Sequence, residues 1–364
     1  MMPRRYSRHL LIPEVGLEGQ RRLLSARVLC VGAGGLGSPV LSYLAAAGVG
    51  RLGVVDDDVV DETNLQRQTL FTTADIGRRK VTVAAERLSA MNPHVAVDPF
   101  PVRLDASNAR DLVRPYDAVI DCTDRFLSRY HINDACVLEG KPDIYGSLFR
   151  FDGQVTVFNL NDGPCYRCLF PIPPPLEMVP TCAEGGVLGV LAGIVGAFQA
   201  NEALKAILRI GDPLAGRLLL IEALSGSTRE VRFTRDTECA VCGSQRSIDN
   251  VVDVHLEEPP PPDVPEIEPD ALRDALATAT LLDVREPHEV VLGTIEHSVH
   301  IPSSQLQARI HELDTAQTYI VACRLGQQSR WAVRTLQDAG FGKLLHLRGG
   351  LLAYAAHDAQ LAIF

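Results

Sequence analysis

Gly32-Ala33-Gly34-Gly35-Leu36-Gly37 follows the apolar run Arg27–Val31 and opens a stretch with helical spacing up to Ala47. Arg51–Asp56 is then a second apolar strand that ends in acid. Strand, Gly-rich turn, helix and strand form the first unit of a doubly wound parallel sheet. The glycines let backbone N–H groups and a helix N-terminus approach phosphate, and Asp56 sits where a ribose hydroxyl is held. Taken alone, such a turn serves an NAD-type dehydrogenase as well as an ATP-using enzyme.

The residues downstream favour ATP. Asn64-Leu65-Gln66-Arg67-Gln68 and Gly77-Arg78-Arg79-Lys80 supply cations beyond a dehydrogenase's needs. Attack on an α-phosphate builds charge on phosphate oxygens, which placed cations and Mg²⁺ neutralise. Tyr116–Asp121 is a further apolar strand, and Asp124, just after it, is the acid expected to hold the metal through oxygen.

The chain has 364 residues, 46 % of them hydrophobic, enough for two or three cored domains. A formal net charge of -10 argues against general nucleic-acid or anionic-membrane binding. The N-terminal Met1-Met2-Pro3-Arg4-Arg5-Tyr6 has no apolar segment behind it, so no signal peptide is expected. Val187–Phe198, the most apolar stretch, reads as a buried helix too short to span a bilayer. Nine cysteines without a secretory signal suit metal binding and catalysis in a reducing cytoplasm.

Further strands are expected over Gln154–Asn159, Arg217–Glu222 and Thr228–Phe233, with helices over Lys80–Met91 and Leu188–Ile210. Pro171–Pro180 reads as an extended loop. Glu257-Glu258 and the four prolines after them begin a spacer that cannot pack as helix or sheet. Beyond it, Thr280–Val284, Thr318–Cys323 and the helix Ser329–Ala339 announce a second, smaller α/β domain. The expected division is a nucleotide-binding α/β domain over 1–250, a Pro-rich linker over 251–267 and a small α/β domain over 268–364.

Arg5-Tyr6-Ser7-Arg8, the Gly-rich turn, Asn64–Gln68, Gly77–Lys80, Met91-Asn92-Pro93-His94 and Asp121-Cys122-Thr123-Asp124 occur in order. Over residues 4–246 this series resembles the ubiquitin-activating-type enzymes that adenylate small sulfur carriers. The resemblance implies a Rossmann-like homodimer, with Arg8 reaching the partner's ATP site. It implies Gly34, Gly35, Asp56, Asn64, Arg67 and Lys80 around ATP, and Asp124 on Mg²⁺. It also implies a ubiquitin-like carrier ending in Gly-Gly as substrate. Arg125 departs from the pattern, which often has Asn after the metal-binding acid.

The cysteines sort into roles. Cys165-x-x-Cys168 and Cys239-x-x-Cys242 are two knuckles that suit tetrahedral Zn²⁺, and the resemblance includes such a site. Cys182, after the Pro-rich loop, is a candidate second nucleophile. Cys30, Cys122 and Cys136 lie in apolar segments and read as core. Cys323 ends an apolar strand, and the loop Arg324–Ser329 leads into a helix, a turn that aims backbone N–H groups at an anion. That segment resembles the active loop of rhodanese sulfurtransferases. Leu282-Asp283-Val284-Arg285 and Leu347-Arg348-Gly349-Gly350 match other landmarks of that family, with Asp283 and Arg285 expected to form a structural ion pair.

Together the two resemblances imply that ATP adenylates a carrier's C-terminal carboxylate and a Cys323 persulfide then converts it to a thiocarboxylate. A cysteine desulfurase or another donor would supply the sulfur. Activation of a small-molecule carboxylate is the alternative, an NAD-dependent oxidoreductase the more distant one.

Overall fold

The computed structural model describes residues 4–173, 186–253, 265–291 and 293–356. They fall into two compact units, the first holding the described residues up to 253 and the second those from 265 onward. The Cys182 expectation, and most of the spacer, lie outside the described residues.

The first unit is built on an eight-stranded sheet. Its strands are β1 (Arg27–Val31), β2 (Arg51–Val55), β3 (Ala96–Phe100), β4 (Ala118–Asp121), β5 (Asp143–Phe149), β6 (Asp152–Phe158), β7 (Arg217–Glu222) and β8 (Ser227–Arg232). Their spatial order is β3-β2-β1-β4-β5-β6-β7-β8. The first five are parallel, and β6 to β8 continue antiparallel. β1, β2 and β4 are apolar almost throughout because both of their faces are covered. Val28 and Cys30 of β1 pack into one core with the helices Gly37–Ala47, Lys80–Met91 and Gly189–Leu208. Leu29 and Val31 point the other way, to a core shared with the helix Phe126–Leu138.

The helix Gly189–Leu208 lies within the stretch expected to be helical, Leu188–Ile210, and at 20 residues it is, by length and composition, long and apolar enough to cross a membrane, as Val187–Phe198 alone is not. Its position explains its composition, since it lies against β5 and β6 with Leu191, Val195 and Ala203 buried. Two polar groups are buried with them. Gln199 Nε2 donates to the carbonyls of Asp121 and Ile144, and Glu202 accepts the N–H of Leu214.

β3 is missing from the sequence expectations because Pro99 interrupts its pattern, a residue tolerated only where a strand borders the sheet. The second unit contains an all-parallel five-stranded sheet. Its strands are β9 (Glu266–Ile267), β10 (Thr280–Asp283), β11 (Val299–His300), β12 (Tyr319–Ala322) and β13 (Leu344–Leu347), in the order β11-β10-β12-β13-β9. β9 falls where a linker was expected. Pairing of His346 with Glu266 and of Leu347 with Ile267 makes it an edge strand of this sheet.

Candidate functional site

The first candidate site lies where the strand order reverses, between β1 and β4, outside their carboxyl ends. This is the position at which open parallel sheets bind ligands. Gly32 begins the turn at φ +99°, and a Cβ there would stand 2.6 Å from the Cys122 carbonyl oxygen, so only glycine fits between β1 and β4. A cleft opens above it, lined in part by Gly34, Gly35, Asp56, Arg67, Lys80 and Asp124.

The side chains of that cleft are held by short-range contacts. Asp56 accepts the N–H of Ala33 at 2.8 Å and that of Asp58 at 2.9 Å, which ties the end of β2 to the Gly-rich turn. Burial pushes its carboxyl up, and the Lys80 charge pulls it back. Lys80 is only 4 % exposed, and its Nζ lies 3.0 Å from Asp58. Arg67 donates to the Thr63 carbonyl at 3.2 Å. Asn64 does not line the cleft. Its Oδ1 accepts from Gln68 Nε2 at 3.1 Å, and Gln68 faces the cleft. Asp124 is exposed at the cleft wall. Arg125, one residue on, is 3.8 Å from Asp57. Arg8 is exposed on the short helix Ser7–Leu10 and does not line this cleft.

Sequence reasoning missed several residues here. Asp57 and Asp58 bring carboxylate oxygens within 4.8 Å of that of Asp56. Arg129 reaches the cleft from the helix Phe126–Leu138, donating to Tyr145 Oη at 3.3 Å and Ser147 Oγ at 3.0 Å. Its signal was weak, because an arginine on an unrecognised helix reads as solvated.

The four knuckle cysteines converge, all their sulfurs lying within 4.8 Å of one another. Individual separations are 3.8 Å for Cys165–Cys168, 3.6 Å for Cys165–Cys239 and 3.4 Å for Cys168–Cys242. A tetrahedral zinc site with Zn–S near ~2.3 Å requires sulfurs roughly 3.8 Å apart, so this thiolate set fits Zn²⁺. Cys165, Cys239 and Cys242 are buried, and Arg167, bonded twice to Asp134, anchors the first knuckle. Cys122 and Cys136, by contrast, lie in the core, and burial pushes both thiols up, as suits structural cysteines.

In the second unit, Cys323 is the first residue beyond β12, 2 % exposed, and its Sγ accepts the N–H of Gly326 at 3.1 Å. Gly326 adopts φ +87°, which turns the chain into the helix Gln327–Asp338. Gly350, at φ +68°, supports the loop from below, and a Cβ there would meet the Cys323 and Arg324 carbonyl oxygens at 2.5 Å. Leu351 N–H donates to the Cys323 carbonyl at 2.9 Å and Leu352 N–H to that of Arg324 at 3.0 Å. Asp283 and Arg285 form the expected ion pair at 2.6 Å, both wholly buried. Ser329, His346 and Glu266, which sequence reasoning passed over, form a polar line behind Cys323.

The ThiF family profile matches residues 6–241 and the rhodanese-like domain profile residues 268–357. A Thermus thermophilus protein named sulfur carrier protein adenylyltransferase is 54 % identical over 254 residues, 68 % of this chain and 94 % of that one. A Mycobacterium tuberculosis protein named probable adenylyltransferase/sulfurtransferase MoeZ is 44 % identical over 368 residues, 96 % of this chain and 92 % of that one. Among solved structures, Escherichia coli MccB with ATP superposes at a TM-score of 0.55 and 22 % identity, covering 62 % of this chain and 68 % of that one. That likeness is one of fold.

Proposed function

The chain belongs to the ThiF family and ends in a rhodanese-like domain, and on that premise we infer that it joins adenylation and sulfur transfer on one polypeptide. It is an adenylyltransferase and a sulfurtransferase, and its substrate is the C-terminal carboxylate of a ubiquitin-like sulfur-carrier protein. The observation that carries the reading is the convergence of Gly34, Gly35, Arg67 and Lys80 on one cleft, together with a sulfur-holding loop at Cys323.

The phosphates of ATP lie against the Gly-rich turn, and Asp56 takes the ribose. The carrier carboxylate attacks the α-phosphorus, forming the acyl adenylate as pyrophosphate leaves. Arg67 and Lys80 neutralise the developing charge. Asp124 is our choice of Mg²⁺ ligand, and that ion, when bound, spreads phosphate charge. The Cys323 persulfide then attacks the acyl carbon, AMP leaves, and an acyl disulfide forms. A second thiol, for which we choose Cys182, attacks the Cys323 sulfur. That releases the carrier thiocarboxylate and leaves a protein disulfide for an external thiol to reduce. Holding both steps on one chain raises the local concentration of persulfide at the adenylate.

Zn²⁺ on Cys165, Cys168, Cys239 and Cys242 has a structural role in this reading, because all four positions are filled by protein. We also read the enzyme as a cytoplasmic homodimer. Val190, Ile194 and Phe198, one helical face of Gly189–Leu208, are left 36–63 % exposed, which supports a second copy covering them. A cysteine desulfurase is the donor class that fits Cys323.

The test is ATP–pyrophosphate exchange with and without carriers ending in Gly-Gly, with Asp124→Ala as control. Carrier-dependent exchange lost in that variant supports the reading. Exchange driven instead by a small carboxylate would move the substrate to that class. Absence of exchange from protein that binds ATP would overturn it.

A further inference from the structure

Behind Cys323 runs a line of polar groups, buried except for Glu266 at its far end, that the sulfur-transfer reading does not by itself require. Cys323 Sγ lies 3.5 Å from Ser329 Oγ, and Ser329 Oγ lies 3.1 Å from His346 Nε2. His346 Nδ1 lies 3.3 Å from Glu266 Oε1. Ser329 and His346 are at most 1 % exposed. Three separate elements contribute: the helix Gln327–Asp338, strand β13 and the edge strand β9.

The hydrogen-bond roles along the line follow from its fixed members. His346 Nε2 is also 3.0 Å from the Gly326 carbonyl oxygen, which can only accept, so Nε2 carries the proton of the neutral ring, and Nδ1 donates to Glu266 only when the ring is doubly protonated. The Nε2 proton is shared with Ser329 Oγ, which also accepts from the Cys323 thiol; once the sulfur is an anion it can no longer donate, and the serine O–H is left to turn toward it. Glu266 is fixed in turn by Arg348 at 2.9 Å, with Arg330 at 3.6 Å. We propose that Ser329 and His346 form a positioning pair that aims a hydroxyl donor at the sulfur of Cys323. The inference rests on the reading of Cys323 as the sulfur-carrying nucleophile. Ser329 then adds a second donor to the Gly326 N–H, so that the anionic sulfur is met by two. The arrangement follows the logic of a nucleophile oriented through an imidazole, with a serine interposed.

The full chain allows a direct test with thiosulfate as donor and cyanide as acceptor. Cys323 thiolate takes the outer sulfur and releases sulfite, and cyanide then removes that sulfur as thiocyanate and restores the thiolate. Ser329→Ala and His346→Phe are expected to lower kcat about tenfold, equivalent to about 1.4 kcal/mol of barrier, with KM for thiosulfate within about twofold. His346→Gln, which keeps an amide N–H near the Nε2 position, is expected to recover most of the loss. Thermal unfolding is followed for every variant. A folded Ser329→Ala or His346→Phe protein with wild-type kcat would overturn the positioning pair. Cys323→Ala separates the two claims: transfer that survives it overturns the nucleophile reading itself.

Discussion

Arg167 grips Asp134 with two hydrogen bonds of 2.8 Å, from Nε and from a terminal nitrogen, in a setting where the carboxylate is wholly buried. Arg167 lies between the two cysteines of one knuckle, and Asp134 lies on the helix Phe126–Leu138. Asn133, its neighbour, accepts the Tyr166 N–H at 2.7 Å. The knuckle is therefore fastened to the sheet's covering helix independently of any metal. Asp134→Ala strands a buried guanidinium, at an expected cost of about 3–5 kcal/mol. Chemical denaturation of the full chain should show the loss in the first unit's transition.

Zinc is expected at one ion per chain, measured by elemental analysis. Cys239→Ser should reduce that content and lower the unfolding midpoint of the first unit, while Cys30→Ala should leave metal content unchanged. A chelator added to the wild-type protein should lower the same midpoint.

Lys80→Met and Arg67→Ala are each expected to reduce ATP–pyrophosphate exchange by about 10²-fold or more, the scale for losing a preorganised charge at a reacting phosphate. Cys323→Ala should leave that exchange unaffected, since sulfur enters only after the adenylate forms. Stopped formation of thiocarboxylate with intact exchange is the signature to look for by mass spectrometry of the carrier.

The architecture of the first unit is legible from its turn because Gly32–Gly37 couples a steric demand to a ligand-binding one. β1, β2 and β4 follow from unbroken apolar runs. What the chain hides are groups whose meaning depends on distant partners. Gln199 reads as a polar break in an apolar helix until it meets the carbonyls of Asp121 and Ile144. Asn64 reads as an ATP ligand, and its bond to Gln68, a residue of the cleft wall, is visible only in the fold. Ser329, His346 and Glu266 stand up to 80 residues apart, and no local spacing joins them.

Acid should weaken the second unit in two stages. Burial above all holds the His346 imidazole below its ordinary value, although Gly326 and Glu266 favour its charged form. The unfolded chain therefore binds the proton more readily, and stability falls as pH drops below about 6.5 toward the lower folded value. The Arg348 hydrogen bond holds Glu266 below the usual carboxylate range, so a further loss begins as pH falls past about 4.5. His346→Phe should remove the upper stage, read from unfolding midpoints between pH 8 and 5.

Gly350→Ala would press a methyl group against two carbonyl oxygens at a left-handed backbone position. It is expected to destabilise the second unit by more than about 1 kcal/mol and to abolish sulfur transfer while sparing adenylation. A circular-dichroism melt and the thiosulfate assay check both parts.

β9 is two residues long and precedes the segment matched by the rhodanese-like profile, yet it closes one border of the second sheet and carries Glu266. A fragment cut at residue 268 would keep every recognisable landmark, Cys323 included. It would leave β13 with an open border and His346 facing water where its carboxylate had been. Activity measured on such a fragment would understate the enzyme, and extending it by the few residues from 265 should restore the difference.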